Sequence, residues 1–95
     1  MAPPELRAFR ATVRGRVQGV GFRYSAVRQA RSLRIRGMVR NTSVGNVEVY
    51  AEGDADSLAT FASWLRQGPS GGHVQGVDLD WVPPTGAWQG FEVEF

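Results

Sequence analysis

The sequence of 95 residues contains no cysteine, no lysine and a single histidine, His73. Without cysteine the chain can form no disulfide and has no thiolate chemistry. Without lysine it has no Walker A loop. One histidine and no cysteine leave too few ligands for the usual zinc sites, and nothing in the spacing suggests a Ser–His–Asp arrangement. No apolar run approaches the roughly 20 residues that a membrane-spanning helix needs.

What the sequence does contain indicates one packed globular domain. Apolar residues make up 42% of the chain, and its length is sufficient for a single core. We expect residues 1–6 to form a flexible tail without the apolar stretch of a signal peptide, and residues 7–95 to form the domain. We also expect a soluble, cytoplasmic monomer that binds no membrane.

Charge is distributed unevenly along the chain. Ten of the eleven basic residues, all arginines, lie in the first forty positions, and eight of the nine acidic residues lie after residue 45. A basic half can indicate a nucleic-acid-binding protein. Alternatively, the basic and acidic segments interleave in space and neutralise each other.

Hydrophobic periodicity predicts the elements. Period-two alternation indicates strands at 8–17, 35–41, 47–52 and 77–81, with a short fifth strand at 91–95. Apolar stripes with helical spacing indicate a helix at 22–33 and a second helix that Asp54 or Asp56 caps and Gly68 ends. This order predicts an α+β, ferredoxin-like βαββαβ fold, in which two helices cover one face of an antiparallel sheet.

The other face of this sheet is then open and charged. Arginines on the first strand would oppose glutamates on the third, and each cross-strand pair contributes roughly 0.2–1 kcal/mol. This pairing gives the arginines a structural use without nucleic acid. The charged residues expected on the open face are Arg10, Arg14, Arg16, Arg36, Arg40, Glu48, Glu52, Asp78, Asp80, Glu92 and Glu94.

A glycine-rich stretch at residues 15–23 connects the first strand to the first helix. Gly19 and Gly21 permit backbone angles that leave amide N–H groups unshielded. Together with the positive end of the helix dipole, these groups form a cradle for a small anion. Arg23 adds a planar guanidinium that can bind two oxygens of a phosphate.

Two motifs resemble those of the acylphosphatase family. The first is an apolar residue followed by Gly-x-Val-Gln-Gly-Val-x-Phe-Arg, which ends here at Phe22-Arg23. The second begins Gly37-Met38-Val39-Arg40-Asn41 and continues to Gly53, with Met38 where the family usually has an aromatic residue. The two motifs have the family's separation, and the resemblance extends through almost the whole chain.

An anion cradle without a metal site or a general base suits an acyl phosphate, because a carboxylate leaves without needing a proton. The resemblance implies the same activity, hydrolysis of a small acyl phosphate to carboxylate and inorganic phosphate, with no cofactor or metal and no nucleic acid. It implies that Asn41 orients the attacking water and that Arg23 binds the phosphate. The backbone N–H groups that would complete the phosphate site belong to Gln18, Gly19, Val20, Gly21 and Phe22.

Two other functions fit parts of the pattern. The chain could be a nucleic-acid-binding module of the same fold, although such modules stack bases on exposed aromatic residues and the open face offers only Tyr50. It could also be a non-catalytic, anion-sensing module, like the acylphosphatase-like domains of larger carbamoyl-transferring proteins.

Overall fold

A computed structural model describes residues 5–95 of the chain, so most of the expected tail, residues 1–4, lies outside the described residues. Within them the order of elements is the predicted one. The seven elements are β1 (Arg7–Arg16), α1 (Phe22–Ser32), β2 (Arg36–Asn41), β3 (Val47–Gly53), α2 (Ala55–Gln67), β4 (His73–Val82) and β5 (Phe91–Val93).

The strands form one sheet in the order β4-β1-β3-β2-β5. The four long strands pair antiparallel with one another, as predicted. The short β5 pairs parallel to β2, so the sheet as a whole is mixed. Because β1, β2 and β5 run in the same direction, their carboxyl ends meet at one end of the sheet. We call this the site end.

Both helices pack against the same face of the sheet. Phe22, Ala26 and Ala30 of α1 share one core with Leu58 and Phe61 of α2 and with the inward side chains of the sheet. Asp54 is the N-cap of α2, and its side chain accepts a hydrogen bond from the backbone N–H of Ser57. The predicted two-layer ferredoxin-like architecture is confirmed.

The strand β4 begins four residues earlier than the alternation predicted. The register between β1 and β4 shifts between Arg14 and Gly15, which marks a bulge. A side chain at position 15 would overlap the carbonyl of His73, so this glycine is needed for the close approach of β4. Because of the bulge, Val74 and Val77 both contact the core, and the period-two pattern is interrupted between them.

The second face of the sheet is only partly open. Residues 83–90, which connect β4 to β5 and which we call the strap, lie across it at the end opposite to the site end. Trp88 of the strap packs on Tyr50, with ring centroids 6.1 Å apart, and helps to bury Met38. Met38 therefore packs against its neighbours on this face, and Tyr50 is not available for stacking.

The expectation that Glu52 lies on the open face among the charged residues is wrong. Its side chain is fully buried beneath the strap. One carboxylate oxygen, Oε2, accepts hydrogen bonds from the Tyr50 hydroxyl at 2.9 Å and from the backbone N–H groups of Thr85 and Gly86 at 3.2 and 3.3 Å. These donors take the place of the arginine partner that the sequence suggested.

Elsewhere on this face the predicted charge pairing is present in part. Glu48 lies 3.7 Å from Arg10 and 3.3 Å from Arg40, and Asp78 lies 2.9 Å from Arg14. The β1–β3 pairing places Arg10 opposite Tyr50, so the ion pair between Arg10 and Glu48 is diagonal. Three of the five arginines expected on this face are paired with acids.

Candidate active site

The loop that follows β1, which is the predicted anion cradle, lies at the site end and leads into α1. Gly19 and Gly21 both have φ of 75°, in the left-handed region that favours glycine. Val20 packs against the core and Phe22 is buried against Trp64, with centroids 5.5 Å apart. These apolar side chains anchor the loop to the core, and the two glycines next to them are exposed. The loop therefore exposes mainly backbone to solvent.

The N-terminus of α1 has none of the features that usually satisfy a helix start. Gly21 is the N-cap and supplies no side-chain hydrogen bond, and the first turn contains no acidic residue. Arg23 lies in this turn instead, where a positive charge is unfavourable next to the helix dipole. The first N–H groups of a helix have no intrahelical partner. An anion bound at this position would satisfy both the N–H groups and the arginine.

Arg23 itself is half-buried. Its guanidinium lies over the ring of Phe95, 5.4 Å from the ring centroid. No carboxylate among residues 5–95 lies within 4.0 Å of it, in contrast to the paired arginines of the sheet. Its charge is therefore not neutralised by an acid from the described part of the chain.

Asn41 is the last residue of β2 and also lies at the site end. Its side-chain oxygen Oδ1 is buried and accepts no hydrogen bond from any residue in the range 5–95. A buried acceptor without a donor costs about 1–3 kcal/mol, so such atoms are rare in folded proteins. The other buried side-chain atom of residues 5–95 without a hydrogen-bond partner is Oε1 of Glu52, at the opposite end of the sheet, so Asn41 Oδ1 is the only such side-chain atom at the site end.

The side chain of Gln18 connects the cradle to the strand end that bears Asn41. Its Nε2 donates hydrogen bonds to the backbone oxygens of Thr42, at 2.9 Å, and Asn46, at 2.8 Å. Both acceptors belong to the turn between β2 and β3, which is closed by a hydrogen bond of 2.9 Å from Thr42 N–H to the Asn46 carbonyl. The structure thus brings the cradle and Asn41 together through Gln18.

The structure places the predicted site residues at one end of the sheet. Of the proposed phosphate ligands, Gln18 and Phe22 use their side chains for other contacts and can offer only backbone N–H groups. The tether made by Gln18 is not apparent from the sequence. The only signal was the choice of a glutamine inside a glycine-rich loop, and that signal does not identify its acceptors.

His73 is the first residue of β4, is exposed, and pairs in register with Arg16. Within residues 5–95, no three histidine, cysteine, aspartate or glutamate side chains lie close enough together to hold a metal ion. None of the helices in this part of the chain is long and apolar enough to cross a membrane.

A five-stranded ferredoxin-like sheet with a glycine-rich anion cradle at the start of its first helix defines the class of protein. A sequence profile of the acylphosphatase family matches residues 9–93. The chain belongs to the acylphosphatase family.

Individual relatives agree with this assignment along almost their whole length. An acylphosphatase from Anaeromyxobacter dehalogenans is 42% identical over 86 residues, which cover 90% of this chain and 92% of the relative. An acylphosphatase from Deinococcus radiodurans is 49% identical over 76 residues, covering 80% and 87%. The crystal structure of acylphosphatase from Bacillus subtilis superimposes with a TM-score of 0.90 at 31% identity, covering 96% and 100%.

Proposed function

We propose that this chain is an acylphosphatase that hydrolyses acyl phosphates to a carboxylate and inorganic phosphate without a metal ion. One observation carries the proposal. An uncapped helix start, whose arginine has no acidic partner within residues 5–95, lies at the same end of the sheet as the unused oxygen of Asn41. The first feature suits a phosphate and the second suits a water molecule.

The phosphate would be bound by the cradle. The backbone N–H groups of residues 18–22 would donate to its oxygens, and the Arg23 guanidinium would bind two of them. Because Val20 and Phe22 anchor the loop to the core before substrate arrives, little reorganisation of these N–H groups is needed as charge develops in the transition state. The cradle would therefore act both in binding and in turnover.

Asn41 would orient the nucleophile. A rotation of its side chain would bring Oδ1, which is buried in the structure, to a position where it accepts a hydrogen bond from a water molecule, whose oxygen attacks phosphorus in line with the leaving group. The new bond joins this oxygen to phosphorus, and the bond from phosphorus to the acyl oxygen breaks. The carboxylate leaves without a proton, and the proton lost by the water would go to the phosphate of the substrate, since no side chain is assigned to take it.

Two substitutions test these roles. Arg23→Lys keeps the charge but loses the two-pronged contact, so both phosphate inhibition and turnover of benzoyl phosphate should weaken. Asn41→Ala should lower kcat by about 10²-fold, or about 3 kcal/mol, while the inhibition constant of inorganic phosphate stays within a few-fold. Arg28→Lys, a conservative change on the exposed face of α1, is the control.

The assay is benzoyl phosphate hydrolysis with and without a chelator, with circular dichroism to confirm folding. Activity should survive chelation, and phosphate should compete with substrate. Activity that a divalent cation restores after chelation would contradict the metal-free mechanism. Phosphate binding without turnover would instead identify an anion-sensing module.

Three expectations stay predictions: that the chain binds no nucleic acid, that it is a monomer and that it is cytoplasmic. The charge pairs on the sheet and the burial of Tyr50 support the absence of a nucleic-acid partner. The monomeric state can be checked by size-exclusion chromatography with light scattering, and the cytoplasmic location by fractionation of the source cells.

A further inference from the structure

Most of the large apolar side chains that the described chain exposes belong to segments at the site end. Four such side chains are strongly exposed within residues 5–95, and three of them, Tyr24, Val44 and Phe95, are 63%, 78% and 97% accessible. The fourth, Trp81, lies near the end of β4, at the opposite end of the sheet.

Each of the three side chains is a neighbour of a residue assigned to the site or of a residue that it contacts. Tyr24 follows Arg23 in the first turn of α1. Val44 lies in the turn that Gln18 holds through Thr42 and Asn46. The ring of Phe95 lies beside the guanidinium of Arg23, 5.4 Å from ring centroid to Cζ, and leaves most of its surface exposed.

These positions are not explained by the fold. Tight turns favour glycine, asparagine, aspartate, serine and proline, so a valine at an exposed turn position adds nothing to the turn. Single exposed apolar side chains need no explanation, but a group of them around one site marks a contact surface for a ligand or partner.

We propose that Tyr24, Val44 and Phe95 form an apolar rim that contacts the acyl group of the substrate. The inference rests on the proposed function. In an acyl phosphate one oxygen joins phosphorus to the acyl carbon, so a phosphate held in the cradle places the acyl group at the rim. The substrates preferred by this chain are therefore acyl phosphates with an aromatic or branched apolar acyl group.

A groove on the open face of the sheet is a competing route for the acyl group. Phe95 lines it together with Met38 and Trp88, but its other lining residues are charged, and Arg10 and Arg40 there are paired with Glu48. An apolar acyl group would have to lie against these ion pairs. The rim offers apolar contacts without them.

The test compares kcat/KM for benzoyl phosphate and acetyl phosphate in the parent, Tyr24→Ala, Val44→Ala and the double variant. Comparing the ratio between variants removes the intrinsic difference in reactivity of the two substrates. We expect the benzoyl-to-acetyl ratio to fall about threefold in each single variant and about tenfold in the double variant, since an exposed rim discriminates less than a closed pocket. Trp81→Ala is the matched control and should leave the ratio unchanged.

The inhibition constant of inorganic phosphate reports on the cradle separately and should stay within about twofold in these variants. Phe95→Leu is measured last, because its ring also contacts Arg23. An unchanged ratio in the double variant would overturn the rim, as would a ratio that falls in Met38→Ala but not in the rim variants. If the parent hydrolysed neither substrate, the proposed function itself would fail, which is a distinguishable result.

Discussion

Replacing Gln18 should affect both stability and turnover, because its side chain joins two loops. We consider Gln18→Met, which keeps the length of the side chain and removes its donors. The two hydrogen bonds lost, of 2.9 and 2.8 Å, are part-buried and have ordinary lengths. At a net value of about 1 kcal/mol each, their loss should lower the free energy of unfolding by about 2 kcal/mol.

The effect on turnover should come through Asn41, which precedes Thr42 in the chain. Without the tether the turn is free to shift relative to the cradle, and the oxygen proposed to orient water shifts with it. A displacement of about 1 Å can lower a rate about 10²-fold, and we expect a smaller displacement here that lowers kcat about tenfold. Phosphate inhibition should change little, because the backbone of the cradle remains in place.

Urea denaturation followed by circular dichroism measures the first effect, and steady-state hydrolysis of benzoyl phosphate measures the second. With a denaturant slope of about 1–2 kcal/mol per molar urea, the midpoint should fall by about 1–2 M. Gln67→Met, at the exposed end of α2, is the control. A Gln18→Met variant as stable and as active as this control would refute the tether, and weakened phosphate binding with normal kcat would show that the side chain contacts the phosphate.

Three further predictions concern the rest of the molecule. Single-stranded RNA and DNA should bind the protein only weakly and without sequence preference at physiological salt, because arginines of the sheet face are paired with acids. A sequence-preferring, submicromolar complex in a filter-binding assay would contradict this prediction. Met38→Phe should fold and stay active, with a change in unfolding free energy of about 1 kcal/mol or less, since Met38 also borders a groove that can take the larger ring. Loss of turnover in a folded variant would instead show that this position belongs to the site. The hydrogen bond from the backbone N–H of Ser57 lowers the pKa of the Asp54 carboxyl, so the stability it contributes is lost as the pH falls below about 4. On lowering the pH through this range, the unfolding free energy of Asp54→Asn should fall less than that of the parent. Equal falls in urea titrations of the two proteins would show that the Asp54 carboxylate does not contribute to the pH dependence.

The elements could be predicted because their signals are local. The stripe of Leu58, Phe61, Ala62 and Leu65 is buried as the helical period required, and the alternation of β1 matches its buried face. The start of β4 was missed for a physical reason. The register shift at Arg14/Gly15 leaves Gln75 of β4 without a partner residue in β1, and this one-residue bulge changes which residues of β4 face the core, so a period-two pattern cannot be followed through it.

The candidate site was predictable only in part. The two motifs identified Arg23 and Asn41 as residues of interest, and the pairing of β1, β3 and β2 brings their strand ends together. Their roles stay predictions. The tether of Gln18 could not be inferred, because its acceptors are backbone carbonyls in a turn, and every residue type has a backbone carbonyl.

The burial of Glu52 shows how the two ends of the sheet are connected. Its carboxylate, together with the Tyr50 hydroxyl, accepts hydrogen bonds from the strap at the end opposite to the site. The strap leads directly into β5, which pairs with β2 and is followed by the ring that lies over Arg23. Hydrogen bonds to a buried acid far from the cradle therefore hold the start of the segment that continues, through its pairing with β2, to the ring beside the arginine proposed to bind phosphate.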